Sequence, residues 1–184
     1  MPGVVFLRGE QVTLRTIEQE DAAIIQRAYN EPDFQQGFLI ESPKSRSAIE
    51  ERIQEGIEQD EDSIYLMMCV DETPVGSVSL KDMRRSHGML AYWLLPDKRG
   101  HGYVTEGAAL LLEHAFDTIG LHRVFAWTID DNEASQAVLR RLGFTHEGTY
   151  REHVFSRGAY HDTEHYGLLA SEWTGAKPVL DNDN

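Results

Sequence analysis

A short loop that combines glycines with positively charged residues is the part of this sequence best suited to bind an anion. It reads Arg99-Gly100-His101-Gly102-Tyr103 and follows Pro96-Asp97-Lys98. Glycines allow backbone amides to turn toward a bound anion, and the amino end of a helix adds a partial positive charge. A helix is expected directly after the loop, because apolar residues recur there at a 3.6-residue period: Val104, Ala108, Leu111, Leu112, Ala115, Phe116 and Ile119. We therefore expect the loop to bind a pyrophosphate group.

Two other kinds of phosphate-binding loop are excluded by their spacing. A dinucleotide-binding fingerprint requires a third glycine or alanine at the position of Thr105, and a Walker loop requires Gly-Lys-Ser/Thr, which this sequence lacks. For a Gly-x-Gly pair by itself, a glycine turn that binds no ligand is the alternative interpretation. The segments on either side of the loop decide between the two.

The loop lies inside a predicted β-α-β unit. Met89–Leu95 is predicted as the first strand and His122–Ile129 as the second, with the periodic helix between them. Such a unit has a right-handed crossover, its strands are parallel, and ligands bind at their carboxyl ends. A second helix follows, with Asn132 in the capping position and Gly143 at its end. The chemistry is therefore expected where these two strands end.

The remainder of the chain predicts further strands on both sides of this unit. Val12–Ile17 is predicted as a strand that leads into a helix running to about Tyr29, and Ser42-Pro43 as the start of another helix. An antiparallel meander and a closing hairpin are predicted over Ile64–Val70, Val75–Leu80, Met89–Leu95 and Gly148–Leu169. We expect one domain over residues 1–175 and a polar carboxyl-terminal tail over residues 176–184.

Composition and charge exclude several classes of function. The formal net charge of −14 argues against a nucleic-acid partner, and no apolar run approaches the roughly 20 residues of a membrane span. Met1–Gly9 lacks the regions of a secretory signal, so we expect a cytoplasmic protein with no membrane partner. The acidic, lysine-poor composition favours a halophilic source. Cys69 lies in an apolar run and is predicted as a core residue rather than a catalytic thiol.

A histidine pair near the carboxyl terminus has a spacing known from zinc sites. His161-x-x-Glu164-His165 matches a motif whose histidines share one face of a helix. Here the motif is predicted on a strand, where four residues at about 3.3 Å each separate the histidines by roughly 13 Å. That distance is too long for one metal ion, and we predict no metal site.

The loop and its neighbours resemble the GNAT superfamily of N-acetyltransferases, and within it the Rim-type branch, which includes ribosomal-protein amino-terminal acetyltransferases. The family's cofactor loop follows Arg/Gln-x-x-Gly-x-Gly/Ala and is matched by Arg99–Val104, with Val104 where glycine or alanine is usual. Further signatures of the branch are similar to Tyr103–Ala108, Asn132–Ser135, Leu139–Phe144 and Glu147-Gly148 with Arg151. The resemblance implies an α/β (α+β) fold: a mixed, mostly antiparallel central sheet of about seven strands, flanked by about four helices, with a parallel splayed pair at the cofactor site.

The resemblance also implies roles for individual residues in binding acetyl-coenzyme A. Leu94 and Leu95 would present backbone groups to the pantetheine arm. Asn132 would hydrogen-bond the same arm while capping its helix, and Arg140 would bind phosphates of coenzyme A unless it is a solvated helix charge. The pyrophosphate would be lined by Arg99, Gly100, His101, Gly102, Tyr103 and Val104.

Ser135 is the predicted catalytic residue. In related enzymes this serine lies near the cofactor sulfur, where a hydroxyl can donate to the leaving thiolate; the alternative is an exposed first-turn serine. Many relatives carry a tyrosine seven residues after the asparagine as the general acid, and this sequence has Leu139 there. The departure shifts that role to Ser135 or to a water molecule.

The predicted function is transfer of an acetyl group from acetyl-coenzyme A to a primary amine by direct attack. The sequence offers no obvious base, which favours an α-amine at a protein or peptide amino terminus, with a pKa of about 7.7–8.0, over a lysine at about 10.4. The alternatives are acetylation of a small amine, such as an antibiotic, amino acid or polyamine, and a non-catalytic acyl-coenzyme A sensor. The amine acceptor is the expected partner, and a homodimer is compatible with the sequence.

Overall fold

The computed structural model describes residues 3–57, 59–84 and 86–181 of the 184-residue chain. The strands in these residues are β1 (Val5–Arg8), β2 (Thr13–Thr16), β3 (Ile64–Val70), β4 (Thr73–Arg84), β5 (His87–Leu94), β6 (Arg123–Ile129), β7 (Thr145–Ser156) and β8 (Ala159–Leu169). They form one sheet in the order β1-β2-β3-β4-β5-β6-β8-β7. Neighbouring strands are antiparallel except β5 and β6, which are parallel. The mixed, mostly antiparallel architecture predicted from the sequence is confirmed.

Helices connect these strands and cover both faces of the sheet. The α-helices in the described residues are α1 (Ala22–Tyr29), α2 (Pro32–Gly37), α3 (Arg46–Glu51), α4 (Tyr103–Glu113), α5 (Glu133–Arg141) and α6 (Ala176–Asp181). Two of them continue as π-helical turns, α3 into Arg52–Ile57 and α4 into His114–Ile119. The buried residues of α4 pack against one face of the sheet, and those of α1 and α3 pack against the other.

Two of these elements have no counterpart in the expectation from the sequence. β1 has four residues on the sheet edge with almost no burial, so no alternation of apolar and polar residues marks it. α2 is six residues long, begins at Pro32 and buries Phe34 alone, which is too little for a helical period. The helix expected after Ser42 begins later, because Ser45 accepts a hydrogen bond from the Ala48 N–H at 3.2 Å and is the cap.

The segment that contains α2 is closed at its base by a pair of hydrogen bonds. The Asn30 side-chain amide donates to the Lys44 carbonyl at 3.1 Å, and the Lys44 N–H donates back to Asn30 Oδ1 at 3.2 Å. The same amide also donates to the Gln26 carbonyl in α1 at 2.7 Å. These bonds fix the two ends of the segment against α1 while Phe34 packs beneath it.

β5 and β6 are paired only at their amino ends. The register joins His87 with Arg123, Gly88 with Val124 and Met89 with Phe125. Farther along, β5 stays paired with β4 as far as Leu94, and β6 stays paired with β8 as far as Ile129. The carboxyl halves of the two strands therefore diverge, and the β5 edge that faces this opening has no partner strand among the described residues.

The carboxyl terminus differs from the polar tail predicted for residues 176–184. Residues 176–181 form α6, whose Ala176 and Val179 are 5% and 7% exposed and belong to the main apolar cluster with α4. Residues 182–184 lie outside the described residues. Three apolar residues in nine, Ala176, Val179 and Leu180, are too few to show a period, so the sequence did not predict this contact.

A buried carboxylate ties the start of α4 to the other end of the sheet. Glu106 is 2% exposed, and its Oε1 accepts hydrogen bonds from the backbone N–H groups of Glu10 and Gln11, the latter at 2.9 Å. These amides belong to the turn between β1 and β2. The turn amides would lose their acceptor without this side chain, so Glu106 holds the first turn of α4 in place.

Replacement of this carboxylate should destabilise the fold. We expect Glu106→Ala to lower the free energy of unfolding by about 2 kcal/mol, because it leaves two partly buried N–H groups without an acceptor. Urea denaturation followed by circular dichroism measures the change. Glu113→Ala, at the other end of α4, removes one longer hydrogen bond of 3.4 Å from Ala176 N–H and should cost less than about 1 kcal/mol. Equal losses in the two variants would contradict this role for Glu106.

Candidate active site

The glycine loop forms a backbone cradle at the amino end of α4. Gly100 and Gly102 have φ angles of +81° and +78°, a conformation that only glycine adopts without strain, and Gly102 is the N-cap of α4. A Cβ atom built on either glycine would meet no atom within 4 Å. The first N–H groups of a helix lack intrahelical acceptors. The loop thus offers open space beside unpaired donors and the positive end of the helix dipole, as an anion site requires.

A cavity of about 570 Å³ extends from this cradle into the opening between β5 and β6. Its floor is formed by Tyr92–Leu94 of β5, and one side by the start and inner face of α5. The opposite side is formed by α1 and α2. The cavity therefore brings together the anion cradle, the divergent strand ends and the segment closed by Asn30 and Lys44.

The start of α5 presents two predicted residues to this cavity. Asn132 Oδ1 accepts a hydrogen bond from the Ser135 N–H at 3.1 Å, so Asn132 is a helix cap and also lines the cavity. Ser135 Oγ lies 2.9 Å from the Tyr92 hydroxyl, which also donates to the Ser135 carbonyl at 3.2 Å. Leu139 is 1% exposed and faces the core, so α5 provides no second hydroxyl one turn later.

Tyr92 is a site residue that reasoning from the sequence missed. It projects from β5 across the opening to α5, and burial raises the pKa of its hydroxyl above the usual value. The alternation of side chains along the strand could have identified Tyr92, because Leu90, Tyr92 and Leu94 share the face that packs against α4. A tyrosine on that face at the end of the strand must place its hydroxyl between β5 and the next layer.

An aromatic wall lies on the side of the cavity opposite α5. Phe34 and Phe38 stack with ring centroids 4.4 Å apart, and Trp93 meets Phe34 edge-on at 5.7 Å. Carboxylates also line the cavity, at Glu31, Asp33 and Asp131. Apolar rings beside carboxylates form a surface that attracts a cationic group carrying an apolar portion.

Arg99 forms an ion pair with a residue of α2. Its guanidinium lies 2.9 Å from Asp33 in the first turn of α2. Asp33 is also 3.8 Å from Arg157 at the tip of the β7–β8 hairpin, and Arg157 donates to the Pro32 carbonyl at 2.9 Å. Asp33 therefore links the cradle, α2 and the hairpin tip.

Several predicted cofactor residues lie elsewhere than expected. The Leu95 N–H donates to the Val75 carbonyl and the Leu95 carbonyl accepts from the Lys98 N–H, both at 3.0 Å, so its backbone groups are used within the protein. Leu94, by contrast, lines the cavity. His101 stacks on Tyr103 with ring centroids 5.3 Å apart and does not border the cavity.

On α5, the predicted and observed arginines differ. Arg140 points along the helix and donates to Gln136 at 3.3 Å, outside the cavity, whereas Arg141 lines it. Arg140 and Arg141 are neighbours in the sequence, and a helix turns by 100° per residue, so only one of them can face the cavity. The sequence did not show which one, because it did not define how α5 is rotated about its axis.

The histidine motif lies on β8 as expected. His161 contacts the Ser156 carbonyl at 3.2 Å, and His165 contacts the Thr163 hydroxyl at 3.0 Å. In the part of the chain that the structure describes, no group of three or more histidine, cysteine or acidic residues is arranged to hold a metal ion.

Comparison with known proteins decides the family. The family model described as an acetyltransferase (GNAT) domain matches residues 11–145. The chain belongs to the GNAT acetyltransferase family. It is 29% identical over 176 residues to the putative ribosomal N-acetyltransferase YdaF of Bacillus subtilis, an alignment that covers 91% of this chain and 96% of the relative.

Solved GNAT structures share the whole fold. The spermidine N-acetyltransferase of Vibrio cholerae, in complex with CoA and spermine, has a TM-score of 0.83 at 21% identity, over 89% of this chain and 98% of that one. RimL, a ribosomal L7/L12 α-N-protein acetyltransferase in complex with coenzyme A, has a TM-score of 0.81 at 20% identity, over 90% and 98% of the two chains. At these identities the likeness to the two structures shows the shared fold. Among the described residues of this GNAT enzyme, no helix has the length and apolar character of a membrane span.

The ion pair at the cradle should compete with an anionic ligand. We expect Asp33→Asn to tighten coenzyme A binding by up to about fivefold, because an exposed ion pair is worth about 0.2–1 kcal/mol and its loss releases Arg99. Calorimetric titration with coenzyme A measures the change. Glu31→Gln is the matched control, since Glu31 borders the same cavity but pairs with Arg27 at 3.8 Å. Weaker binding by Asp33→Asn would show that Asp33 supports the cradle rather than competing for it.

Proposed function

We propose that this GNAT enzyme transfers the acetyl group of acetyl-coenzyme A to the α-amine of a protein or peptide amino terminus. One observation carries the proposal: a single cavity joins the glycine cradle, the Ser135 hydroxyl and an aromatic wall with carboxylates. An anionic cosubstrate fits the first part of the cavity and a cationic acceptor the last. The hydroxyl borders the same cavity and contacts Tyr92 of β5.

The residues present fit acetyl-coenzyme A. Gly100 and Gly102 leave open space where any side chain would stand, and the cavity volume of about 570 Å³ is in the range of cofactor sites. The pyrophosphate would be held by the amides from Gly102 to Val104, with Arg99 and Arg141 as cations. The pantetheine arm would be held by Asn132 and by the unpaired β5 edge up to Leu94.

Each group of the site has a part in acyl transfer by direct attack. The cosubstrate supplies an acetyl group activated as a thioester. The unpaired β5 edge offers backbone N–H donors that polarise the acetyl carbonyl, and the Ser135 hydroxyl donates to the departing sulfur. The aromatic wall and Asp131 hold the acceptor, which shortens the approach of its nitrogen to the carbonyl carbon. The new amide C–N bond replaces the C–S bond, and one amine proton ends on the thiol by way of water.

The absence of a strong base near the hydroxyls favours an α-amine. In the described residues, the Tyr92 and Ser135 hydroxyls bond to each other and to no carboxylate or imidazole. An α-amine with a pKa of about 7.7–8.0 is about half neutral or more at pH 8, whereas a lysine at about 10.4 is almost fully protonated. The names of YdaF, given as a putative ribosomal N-acetyltransferase, and of RimL, given as a ribosomal L7/L12 α-N-protein acetyltransferase, support the same acceptor class.

A polyamine is the second candidate acceptor. The carboxylates Glu31, Asp33 and Asp131 along one cavity are spaced over a surface that suits more than one positive charge. The Vibrio cholerae neighbour, a spermidine N-acetyltransferase in complex with CoA and spermine, agrees with this alternative.

Two glycines with the same backbone conformation test the cradle. Gly102 and Gly120 both have φ of +78°, and a Cβ on either meets nothing within 4 Å. We expect Gly102→Ala and Gly120→Ala each to lower the free energy of unfolding by about 1–2 kcal/mol. Only Gly102→Ala should weaken coenzyme A binding, by at least about tenfold, because its methyl group occupies the cradle. Calorimetry and urea denaturation measure the two effects, and similar coenzyme A affinities in both variants would refute the cradle.

Acceptor class is tested by release of coenzyme A thiol with a defined panel. We expect turnover with peptides that have a free α-amine, and none with the same peptides blocked at the amino terminus but carrying an internal lysine. Turnover with spermidine and not with peptides would establish the second candidate. Assays at low and at molar salt would show whether the acidic chain requires salt. No thiol release with any amine, despite coenzyme A binding, would sink the transferase proposal.

A further inference from the structure

Two side chains of the sheet support the stacked rings of Phe34 and Phe38 in the aromatic wall. Trp93 of β5 meets Phe34 edge-on at 5.7 Å. The Lys81 ammonium of β4 lies 5.8 Å from the centre of the Phe38 ring. The same ammonium lies 5.7 Å from the ring centre of Tyr65 in β3. Both distances are within the roughly 6 Å of a cation–π contact, so Lys81 joins a ring of the wall to a ring of the sheet.

The strand register explains why Lys81 reaches both rings. Tyr65 pairs with Ser79 across β3 and β4. Lys81 follows Ser79 by two residues, so its side chain lies on the same face of the sheet as Tyr65. Lys81 does not border the cavity, whereas Phe38 does. Lys81 therefore contacts the cavity wall from behind, by way of the Phe38 ring.

The chain directly after Phe38 has a strained backbone. Leu39 has a φ of +54°, a left-handed conformation that is costly for a residue with a Cβ atom. Such a conformation persists where the surrounding structure holds it. The Phe38 N–H donates to the Phe34 carbonyl at 2.9 Å, and the Ile40 N–H donates to the Gln35 carbonyl at 2.8 Å. These bonds lie within the segment itself, and the Phe38 ring links this end of it to the sheet.

We propose that Lys81 is a positioning residue that holds Phe38 in the cavity wall and thereby sets the affinity of the enzyme for its amine acceptor. The proposal rests on the proposed function, in which the aromatic wall binds the acceptor. Without the ammonium, the Phe38 ring and the strained turn after it lose their contact with β4. The acceptor then loses part of a surface that attracts a cation with an apolar portion. The glycine cradle, which binds the cosubstrate, is built on other elements and is unaffected.

The position of Lys81 lowers the stability of the fold. Burial, the largest influence, lowers its pKa below the usual value, and Arg52 lowers it further. Asp82 and Asp60 raise it, and Tyr65 donates a hydrogen bond to Asp60 at 3.1 Å. Because the pKa is lower in the folded than in the unfolded chain, the charge destabilises the fold at neutral pH, and this loss is relieved as the pH rises above the folded pKa. Removal of the charge should therefore preserve the fold and harm the acceptor site.

The first test compares the turnover of Lys81→Met and Lys81→Arg with that of the parent protein. Lys81→Met keeps an unbranched apolar side chain and removes the charge, whereas Lys81→Arg keeps a cation that can lie over a ring. With a peptide acceptor, Lys81→Met should raise the acceptor KM by about three- to tenfold, the size of one cation–π contact. The kcat and the KM for acetyl-coenzyme A should stay within about twofold, and Lys81→Arg should behave as the parent protein.

Lys44→Met is the matched control for this test. It removes a lysine charge at the base of the same segment, where the Lys44 ammonium contacts Ser42 Oγ at 3.3 Å. The backbone bonds between Lys44 and Asn30 remain in this variant. Its acceptor KM should match that of the parent protein. An equal rise in KM in Lys44→Met and Lys81→Met, or no rise in Lys81→Met, would overturn the proposal.

A double-mutant cycle shows whether Lys81 acts through the Phe38 ring. Phe38→Leu keeps an apolar side chain and removes the ring, so it should raise the acceptor KM by itself. In the Phe38→Leu background, Lys81→Met should change that KM by less than about twofold, because the contact is already absent. Fully additive effects would mean that Lys81 acts by another route and would contradict the proposal.

Hydrogen exchange and thermal unfolding give readouts that need no turnover. The Phe38 and Ile40 N–H groups should exchange faster in Lys81→Met than in the parent protein and at the parent rate in Lys81→Arg. The melting temperature of Lys81→Met should equal or exceed that of the parent protein, and a lower value would indicate a structural role alone. If no amine is acetylated, the proposed function and the acceptor role fall together, and exchange still tests the anchor. If amines are acetylated and neither KM nor exchange changes, only the role of Lys81 falls.

Discussion

The divergence of β5 and β6 after three paired residues is the constraint on which the rest of the site depends. A strand edge released from its neighbour leaves backbone donors and acceptors unpaired, which is costly unless a ligand or water satisfies them. The same divergence separates α4 from α5, so the anion cradle and the Ser135 hydroxyl face one space. β4 and β8 pair with the outer edges of the two strands along their length, so the opening lies between two strands that are each fully paired on the other side.

Electrostatics set a second condition on the site. A chain with a formal net charge of −14 repels a polyphosphate at long range, so attraction must be local. Backbone amides and the α4 dipole supply part of it without side-chain charge, and Arg99 and Arg141 at the cavity supply the remainder. The carboxylates Glu31 and Asp131 line the same cavity, and under the proposed function they serve the cationic acceptor.

The sequence predicted those parts of the molecule in which residue types and the periodic pattern of the neighbouring helix and strand indicate the same structure. The cradle was predictable because glycine spacing, the following helix and the preceding strand all indicate the same loop, and Asn132 because a cap has a fixed position. Leu95 and Arg140 lie outside the cavity lining, because each choice depended on a phase of one residue, in a strand end and in a helix. Tyr92 and α2 were missed because their roles arise from contacts between segments distant in the chain. The role of Ser135 at the sulfur stays a prediction.

The bonds that join Asn30 to Lys44 have a consequence for how this enzyme can diversify. They join the two ends of a loop next to the end of α1. The chain between Asn30 and Lys44 is therefore a closed surface loop whose attachment to the fold at its two ends does not depend on its own sequence. The cost of closing a loop grows only slowly with its length, and surface loops tolerate insertion and substitution. The aromatic side of the cavity, which this segment carries with Phe34 and Phe38, can therefore be exchanged or lengthened during evolution, while the glycine cradle, built on other elements, retains its shape.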